Sequence, residues 1–588
     1  MKSFREIYKS SENKIAGIAA APGIVIGKAY LFSKEKLEIN KAPITNADEA
    51  INNFQEALKQ SKKELNKIFG FAREKMDEVR AAIFEAQLMI LDDPILLEHI
   101  KQRIRNEMVQ PEFIVSDEIS KYQELMIISH ESYMKERAHD IEDIKQRIIR
   151  NLQKKRWQSK IEKNLIVVSE ALTPADTLLF SRREALAFVT DHGGLTSHAA
   201  IISRSLNLPA VVGTQKATQM IKDGEQIIVD GFHGYVIINP TEVQLEFFRA
   251  KQDKLIKLQK GLEELKDLPA KTLDGKIINI EANVDVSGEI DLVLTTGATG
   301  IGLYRTEQIL NELGTFPDEN EQTEIYSKLA SRMYPKFLTI RAYDIGGDKF
   351  RINEYKEPNP FLGLRGIRFL LENENLFKAQ IRAVLKASEN KNLKFMIPMI
   401  TTLEEIWRSI KLIQECKSEL RKEKVKFDNQ MKIGIMVEVP SAAVMAKEFS
   451  DEIDFVSIGT NDLIQYLMAV DRGNDLVSNL YQEFSPVVIR TIAHIVREAK
   501  KGKVPVSICG EMAADTLAIP LLVGLGLDSL SMSPATILNA KRIIRNFEFK
   551  KAKILANECL QCKTEIDIQK KVQKFFEDNN ISRTRNII

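Results

Sequence analysis

The sequence predicts a multidomain α/β protein. An N-terminal α/β domain is interrupted by an inserted helical bundle, and a C-terminal (β/α)8 barrel of the TIM type follows. Three observations predict it. Strand-like runs rich in β-branched residues open the chain and return near Leu165. Between them the texture is helical, with no glycine from Phe71 to His192. From Lys271 onward, apolar strand runs alternate with amphipathic helices, the pattern of a parallel barrel.

Residues 15–32 read IAGIAAAPGIVIGKAYLF, a mixture of Gly, Pro and β-branched residues that specifies strands and turns. From Ala47 to Lys155, Glu, Lys, Gln, Leu and Ile recur at helical spacing, as in Ile100, Ile104 and Met108. Pro94 and Pro111 each mark a helix end. This stretch reads as a helical hairpin or bundle inserted into the first domain. LIVVS, LAFVT, PAVVG, QIIVD and YVIIN then supply short strands up to about Pro240, with one helix starting near Ser197. Thr241 to Asp267 is polar, with Gly261 its one glycine, and reads as a long connecting helix that could act as a swivel. IINIEAN, GIGLY, FLTIRAYD, KFMIPM, KIGIMVE, FVSIGT and PVSICGE are seven strand candidates, so closure of the barrel by an eighth is an expectation. The tail beyond Phe547 is mostly polar and helical. The domain limits that follow are 1–45 with 156–240, 46–155, 241–268 and 269–588.

Charge and composition exclude several functions. The 588 residues hold 84 Lys and Arg against 82 Asp and Glu, a net charge of +2. Basic and acidic residues are interspersed, which argues against a nucleic-acid protein with its basic face. No apolar run reaches the ~18 residues of a membrane span. The charged start, Met1 to Lys9, is not followed by the apolar segment of a secretion signal. Four cysteines are too few for a disulfide scaffold of this length, so a cytoplasmic location is expected. Cys559 and Cys562 form a single CxxC without a partner pair, which fits packing thiols better than a zinc site.

Residues 191–214 read DHGGLTSHAAIISRSLNLPAVVGT. A strand ends at Thr190, two glycines follow, and Thr196, Ser197 and His198 stand at the mouth of a helix. Glycines let the backbone approach a bulky anion. A helix N-terminus offers N–H groups and a positive dipole end to phosphate. A neutral imidazole there is a competent nucleophile towards phosphorus. His192 and His233 lack this glycine and hydroxyl setting. The segment resembles the phosphohistidine motif of the phosphoenolpyruvate-utilising enzymes, shared by bacterial enzyme I of the sugar phosphotransferase system, phosphoenolpyruvate synthase and pyruvate phosphate dikinase. The resemblance implies that His198 is the residue phosphorylated. Leu195 departs from the family, where enzyme I often has arginine and the dikinases methionine.

In the barrel, chemistry belongs at the C-terminal strand ends. Arg305 follows GIGLY, and Arg341 lies in FLTIRAYD ahead of Asp344 and Lys349. Glu438 closes KIGIMVE, Asn461 and Asp462 follow FVSIGT, and Cys509 sits in PVSICGE beside Glu511. These types suit phosphoenolpyruvate. Arginine forks bind phosphate and carboxylate. Glu438 and Asp462 offer the hard oxygen ligands magnesium prefers. A thiol can protonate an enolate.

RTEQ, RAYDIGGDK, NPFLGLRGIR, MVEVP, SIGTNDLIQY, DRGN and CGEMA occur in one order, and GIAAAPGIVIGKAY and ERAHDIEDIKQRIIRNL precede them. Together they resemble the enzyme I family along nearly the whole chain. The resemblance implies that Arg305 and Arg341 contact phosphate with help from Lys349 and Asn461. It implies further that Arg365 and Arg472 complete the anion pocket, Glu438 and Asp462 bind Mg2+, and Cys509 donates the proton. It implies phosphoryl transfer from phosphoenolpyruvate to His198 and on to the histidine of an HPr-type carrier, with pyruvate released, as the first step of sugar uptake. Residues 46–155 would dock the carrier, and the barrel would form a homodimer. Ala514 stands where family members commonly have glycine. The alternatives are a regulatory paralogue and, further off, a phosphoenolpyruvate synthase or dikinase relative, which needs a nucleotide-binding domain ahead of the GIAAAPG segment.

Overall fold

A computed structural model describes residues 13–33, 37–75, 78–128, 132–155, 163–195, 197–206, 208–285, 289–313, 315–346, 357, 359–474 and 476–581. The chain divides into two units, residues 1–256 and residues 257–587.

The first unit is built on a sheet of β1 (Lys14–Ala16), β2 (Ile18–Ala21), β3 (Ile24–Phe32), β4 (Leu165–Ser169), β5 (Ala187–Thr190), β6 (Ala210–Val212), β7 (Gln226–Asp230) and β8 (Tyr235–Ile238). Its order is β1-β8-β7-β3-β4-β5-β6-β2. β3 to β6 run parallel, while β7 and β8 pair antiparallel beside them. Every residue of β5 and β6 is buried, which explains why their runs are continuously apolar rather than alternating. Val168, Val189 and Val229 fill one core, and Val167, Phe188 and Phe180 another.

Between β3 and β4 run the helices Ala47–Lys75, Glu78–Leu91, Pro94–Glu107, Pro111–Ile128 and Ser132–Leu152. Phe54, Leu65, Ile100, Ile114 and Ile148 form their shared core. Both prolines open helices. Pro94 takes a first-turn position, where its missing N–H costs nothing, and Asp93 caps the helix by accepting from Ile95 N at 2.8 Å and Leu96 N at 3.1 Å. The helix Glu242–Glu263 follows β8, where the sequence predicts a long connecting helix.

The second unit is a closed barrel of parallel strands: β9 (Asn279–Val284), β10 (Gly300–Tyr304), β11 (Phe337–Arg341), β12 (Leu393–Ile397), β13 (Lys432–Val437), β14 (Phe455–Gly459), β15 (Val506–Cys509) and β16 (Ser529–Met532). β16 pairs with both β15 and β9 and closes the ring. It is the eighth strand that the expected barrel lacked. Its four residues, SLSM, alternate serine with apolar residues and carry no β-branched residue, so β-propensity is weak there. All four are nonetheless buried.

Candidate active site

The C-terminal strand ends of the barrel surround a cavity of about 420 Å3. Arg305, Arg341, Glu438, Asn461, Asp462, Arg472 and Cys509 all line it. Residues scattered over some two hundred positions thus converge because parallel strands all end at the same rim. Arg365 does not line the cavity, and Lys349 lies outside the described residues.

Beside this cavity the charges alternate in sign. Arg341, buried, donates from Nη2 to Glu307 Oε1 at 2.8 Å and lies 3.3 Å from Asp344 Oδ2. Arg365 is 1% exposed and grips two carboxylates. Its Nε and Nη2 donate to Asp344 at 2.9 Å each, and its Nη1 and Nη2 donate to Asp462 at 3.2 and 3.0 Å. The series Glu307, Arg341, Asp344, Arg365, Asp462 sets three carboxylates against two guanidiniums, so one negative charge is left over in a low-dielectric place, where an unpaired member is costly. Arg365 commits four hydrogen bonds to Asp344 and Asp462 and so holds Asp462 in position. Replacing Arg365 with Met, close in size but neutral, is expected to destabilise the barrel by ~3–5 kcal/mol, because Asp344 and Asp462 lose their shared counter-ion. Denaturant titration followed by circular dichroism reads this, and a change below ~1 kcal/mol would refute it.

Glu438 stands next to this series. Its Oε1 accepts from Met399 N at 2.7 Å, and Met399 adopts φ 58°, a left-handed conformation rare for its type. Burial pushes the Glu438 carboxyl up to about 8, with the charges of Asp462 and Asp344 adding to it. Two neighbouring buried carboxylates of this kind are relieved by a dication. Among the described residues no cluster of three His, Cys, Asp or Glu has the arrangement of a complete protein cage. A pair of carboxylates still fits Mg2+, which keeps several waters and takes further oxygens from a substrate.

Cys509, at the end of β15, is 2% exposed. Ser457 Oγ donates to its sulfur at 3.3 Å, and the thiol donates to Ile458 O at 3.6 Å. Burial pushes the thiol up to about 11, so it keeps its proton throughout the neutral range. Gly510 follows at φ 132°, and a Cβ there would stand 2.1 Å from Thr460 Oγ1. Glycine is required for the sharp turn beside the thiol.

Two acidic lining residues, Asp285 and Glu307, are ones that the sequence reading did not single out. Asp285 pairs with Arg305 at 2.9 Å, and Glu307 also accepts from Asp344 N at 2.7 Å. Glu307 belongs to RTEQ, two positions beyond Arg305, so the motif itself carried that signal. Nothing in the sequence marks Asp285. Asn461 is held by Glu511, whose N–H donates to Asn461 Oδ1 at 3.0 Å. Arg472 lies on a segment anchored by its own N–H to Gln465 Oε1 at 3.2 Å and by Tyr481 OH to Asn461 O at 3.4 Å.

On that segment Glu483 is raised to about 7 by burial first, then by Asp515, Glu511 and Glu565. The folded state therefore holds this proton over a range where the unfolded chain, titrating near 4.5, has released it. Stability from this group is complete below about 4.5, falls as pH rises, and is lost above about 7. At pH 8 Glu483→Gln is expected to exceed the parent by ~1–2 kcal/mol, allowing for solvent screening, and to match it at pH 4. A difference independent of pH, measured by denaturant titration, would refute the assignment.

In the first unit, the loop after β5 leads into the helix His198–Ser205. His198 opens that helix, and only its backbone is described; Thr196 lies outside the described residues. Ser197 is the cap: its Oγ accepts from Ala200 N at 3.4 Å and donates to Gly194 O at 2.8 Å. Gly193 has φ 117°, and a Cβ there would crowd Ser197 Oγ at 3.0 Å, while a Cβ on Gly194 would meet open space. Buried Asp191 braces the loop by accepting from Thr214 Oγ1 at 2.8 Å and Ala217 N at 2.5 Å. Arg204 ties the loop from below, donating to Leu195 O at 2.7 Å and Ala20 O at 2.9 Å. Leu195 itself is exposed. His192 approaches Glu170 at 3.4 Å, and His233 pairs with Asp230 at 2.9 Å in the β7–β8 turn. Neither opens a helix.

Three family profiles match this chain. Residues 259–549 match the PEP-binding domain of PEP-utilising enzymes, residues 16–137 their N-terminal region, and residues 161–234 their mobile domain. A phosphoenolpyruvate-protein phosphotransferase of Mycoplasma capricolum subsp. capricolum is 40% identical over 571 residues, 96% of this chain and 99% of that one. One from Staphylococcus carnosus is 38% identical over 569 residues, again 96% and 99%. A solution structure of an Enzyme I protein aligns with 41% of this chain and 99% of its own, at 40% identity and a TM-score of 0.38.

Proposed function

The chain belongs to the phosphoenolpyruvate-utilising enzymes and is a phosphotransferase fed by phosphoenolpyruvate, and from that premise we propose that the phosphoryl group passes to His198 and then to a histidine of a small HPr-type carrier. The observation that carries this reading is the pairing of two separate chemistries in one chain. A barrel cavity lined by arginines, two carboxylates and a thiol supports substrate cleavage. A glycine-flanked helix mouth in the other unit supports a mobile nucleophile.

Arg305 and Arg341 bind the phosphate, helped by Asn461 and Lys349, and Arg472 completes the anion pocket. Arg365 acts beneath it by fixing Asp462. Glu438 and Asp462 hold Mg2+, which when bound offsets charge on the transferring phosphoryl group and the developing enolate. An imidazole nitrogen of His198 forms a bond to phosphorus as the bond from phosphorus to the enol oxygen breaks. The Cys509 thiol then gives its proton to the methylene carbon, and pyruvate leaves. The sulfur regains a proton before the next turnover.

The residue ranges 1–45 and 156–240 carry the nucleophile, 46–155 dock the carrier, 241–268 form the pivot, and 269–588 bind substrate and dimerise. Among the described residues no helix is long and apolar enough to cross a membrane. In this proposal the chain acts in the cytoplasm, at the first step of sugar uptake. The test is incubation of the purified chain with phosphoenolpyruvate, Mg2+ and candidate carriers. Pyruvate release that depends on a carrier, with an acid-labile and base-stable adduct on the chain, is the expected result. Pyruvate release with no phosphorylated protein would overturn it.

A further inference from the structure

The segment ERAHDIEDIKQRIIRNL has no part in the chemistry above, yet its helix points charged side chains into a second cavity. This cavity, about 530 Å3, lies within the first unit between the helices Ala47–Lys75, Ser132–Leu152 and Pro174–Arg182. Its volume falls in the range of small-molecule sites. Asp143, Gln146, Arg147 and Arg150 of the segment all line it.

The walls divide by chemistry. Ile68, Phe71, Leu178 and Leu179 give an apolar side. Among the described residues five cationic side chains face three carboxylates on the rest, so that lining is net positive. The carboxylates are already engaged where the partners are seen. Glu64 takes both Arg147, at 3.3 Å, and Arg150, and Asp143 takes Arg147 at 3.1 Å. Lys67 and Arg182 have no carboxylate partner among the described residues, and Arg182 stacks over the Phe71 ring at 5.7 Å. Deeper in the wall the Nε groups of Arg147 and Arg150 have no hydrogen-bond partner among the described residues, and the Arg147 side chain is only 7% exposed. An apolar slot edged by surplus cations is complementary to one class of ligand.

We propose that this cavity binds a small organic anion with an apolar body, its acidic group held between Lys67 and Arg182 and its body against Phe71, Leu178 and Leu179. The occupant joins the helical bundle to the helix Pro174–Arg182, which shares a core with Ile202 of the helix that His198 opens. Lys67 and Arg182 are exposed, so reversing their charge leaves the core intact.

Anilinonaphthalene sulfonate, an aromatic body with one sulfonate, is the probe. Titrated into the full chain, it is expected to bind one saturable site with enhanced, blue-shifted fluorescence. Binding should weaken at least tenfold in the Lys67→Glu, Arg182→Glu double variant. It should be lost in Leu179→Trp, whose indole fills the slot, with circular dichroism unchanged in both. If Leu179→Trp fails to fold, the surface double variant decides alone. Absence of a saturable site, or binding that the charge reversal leaves within twofold, would overturn the proposal.

Discussion

Replacing His198 with alanine is expected to reduce carrier phosphorylation to background, a loss on the order of 10^3-fold or more, as removal of a nucleophile does elsewhere. Binding of phosphoenolpyruvate should persist, because Arg305, Arg341, Asn461 and Arg472 all belong to the other unit. This split is the discriminating feature. A histidine that merely capped its helix would be replaceable at modest cost, since Ser197 already caps it. Its loss would lower stability by a fraction of a kcal/mol and leave transfer intact. The measurement is paired: binding of phosphoenolpyruvate by calorimetry, and label transferred from phosphoenolpyruvate to a carrier. Mapping the adduct of the parent chain to His192 or His233 would transfer the role to that residue. Both already face carboxylates, Glu170 and Asp230, which would repel an incoming phosphate.

How much of this was legible in the sequence depends on what kind of fact is asked for. Strand runs such as GIGLY and FVSIGT are buried throughout, so their composition announces them. SLSM is equally buried, but serine gives no signal of it, and barrel closure had to come from the structure. The site followed the same rule. Arg341, Glu438, Asp462 and Cys509 stand at strand ends, and strand ends are readable, so their convergence could be expected. Which charge pairs with which could not. Arg365 and Asp462 are separated by 97 positions, and nothing in either residue type says that the guanidinium spends its donors on Asp344 and Asp462 instead of facing the cavity. Pairing is a property of packing, and the packing of loops between strands has no periodic signature.

Replacing Cys509 with alanine should lower turnover to pyruvate by roughly 100- to 10,000-fold, the usual contribution of a placed general acid. Magnesium and substrate binding should survive, since Glu438, Asp462 and the arginines are untouched. The structural case rests on the state of the thiol. Burial holds its pKa at about 11, so at neutral pH the sulfur carries a proton to give. A thiol this high is a poor nucleophile, since it is the thiolate that attacks, which argues for acid chemistry over covalent catalysis. Ser457 donates to the sulfur, so it stabilises the thiolate left after the proton departs. The Cys509→Ser variant should recover little, because an alcohol is a far weaker acid than a thiol. With label at the methylene carbon, the parent should deliver the proton to one face and Cys509→Ala to both, since water then replaces a fixed donor. A buried cysteine that only filled space predicts the reverse pattern: a lowered melting temperature with near-normal turnover and stereochemistry. Measuring pyruvate formation, product stereochemistry and melting temperature on one preparation separates the two, and normal turnover with a lowered melting point would remove Cys509 from the mechanism.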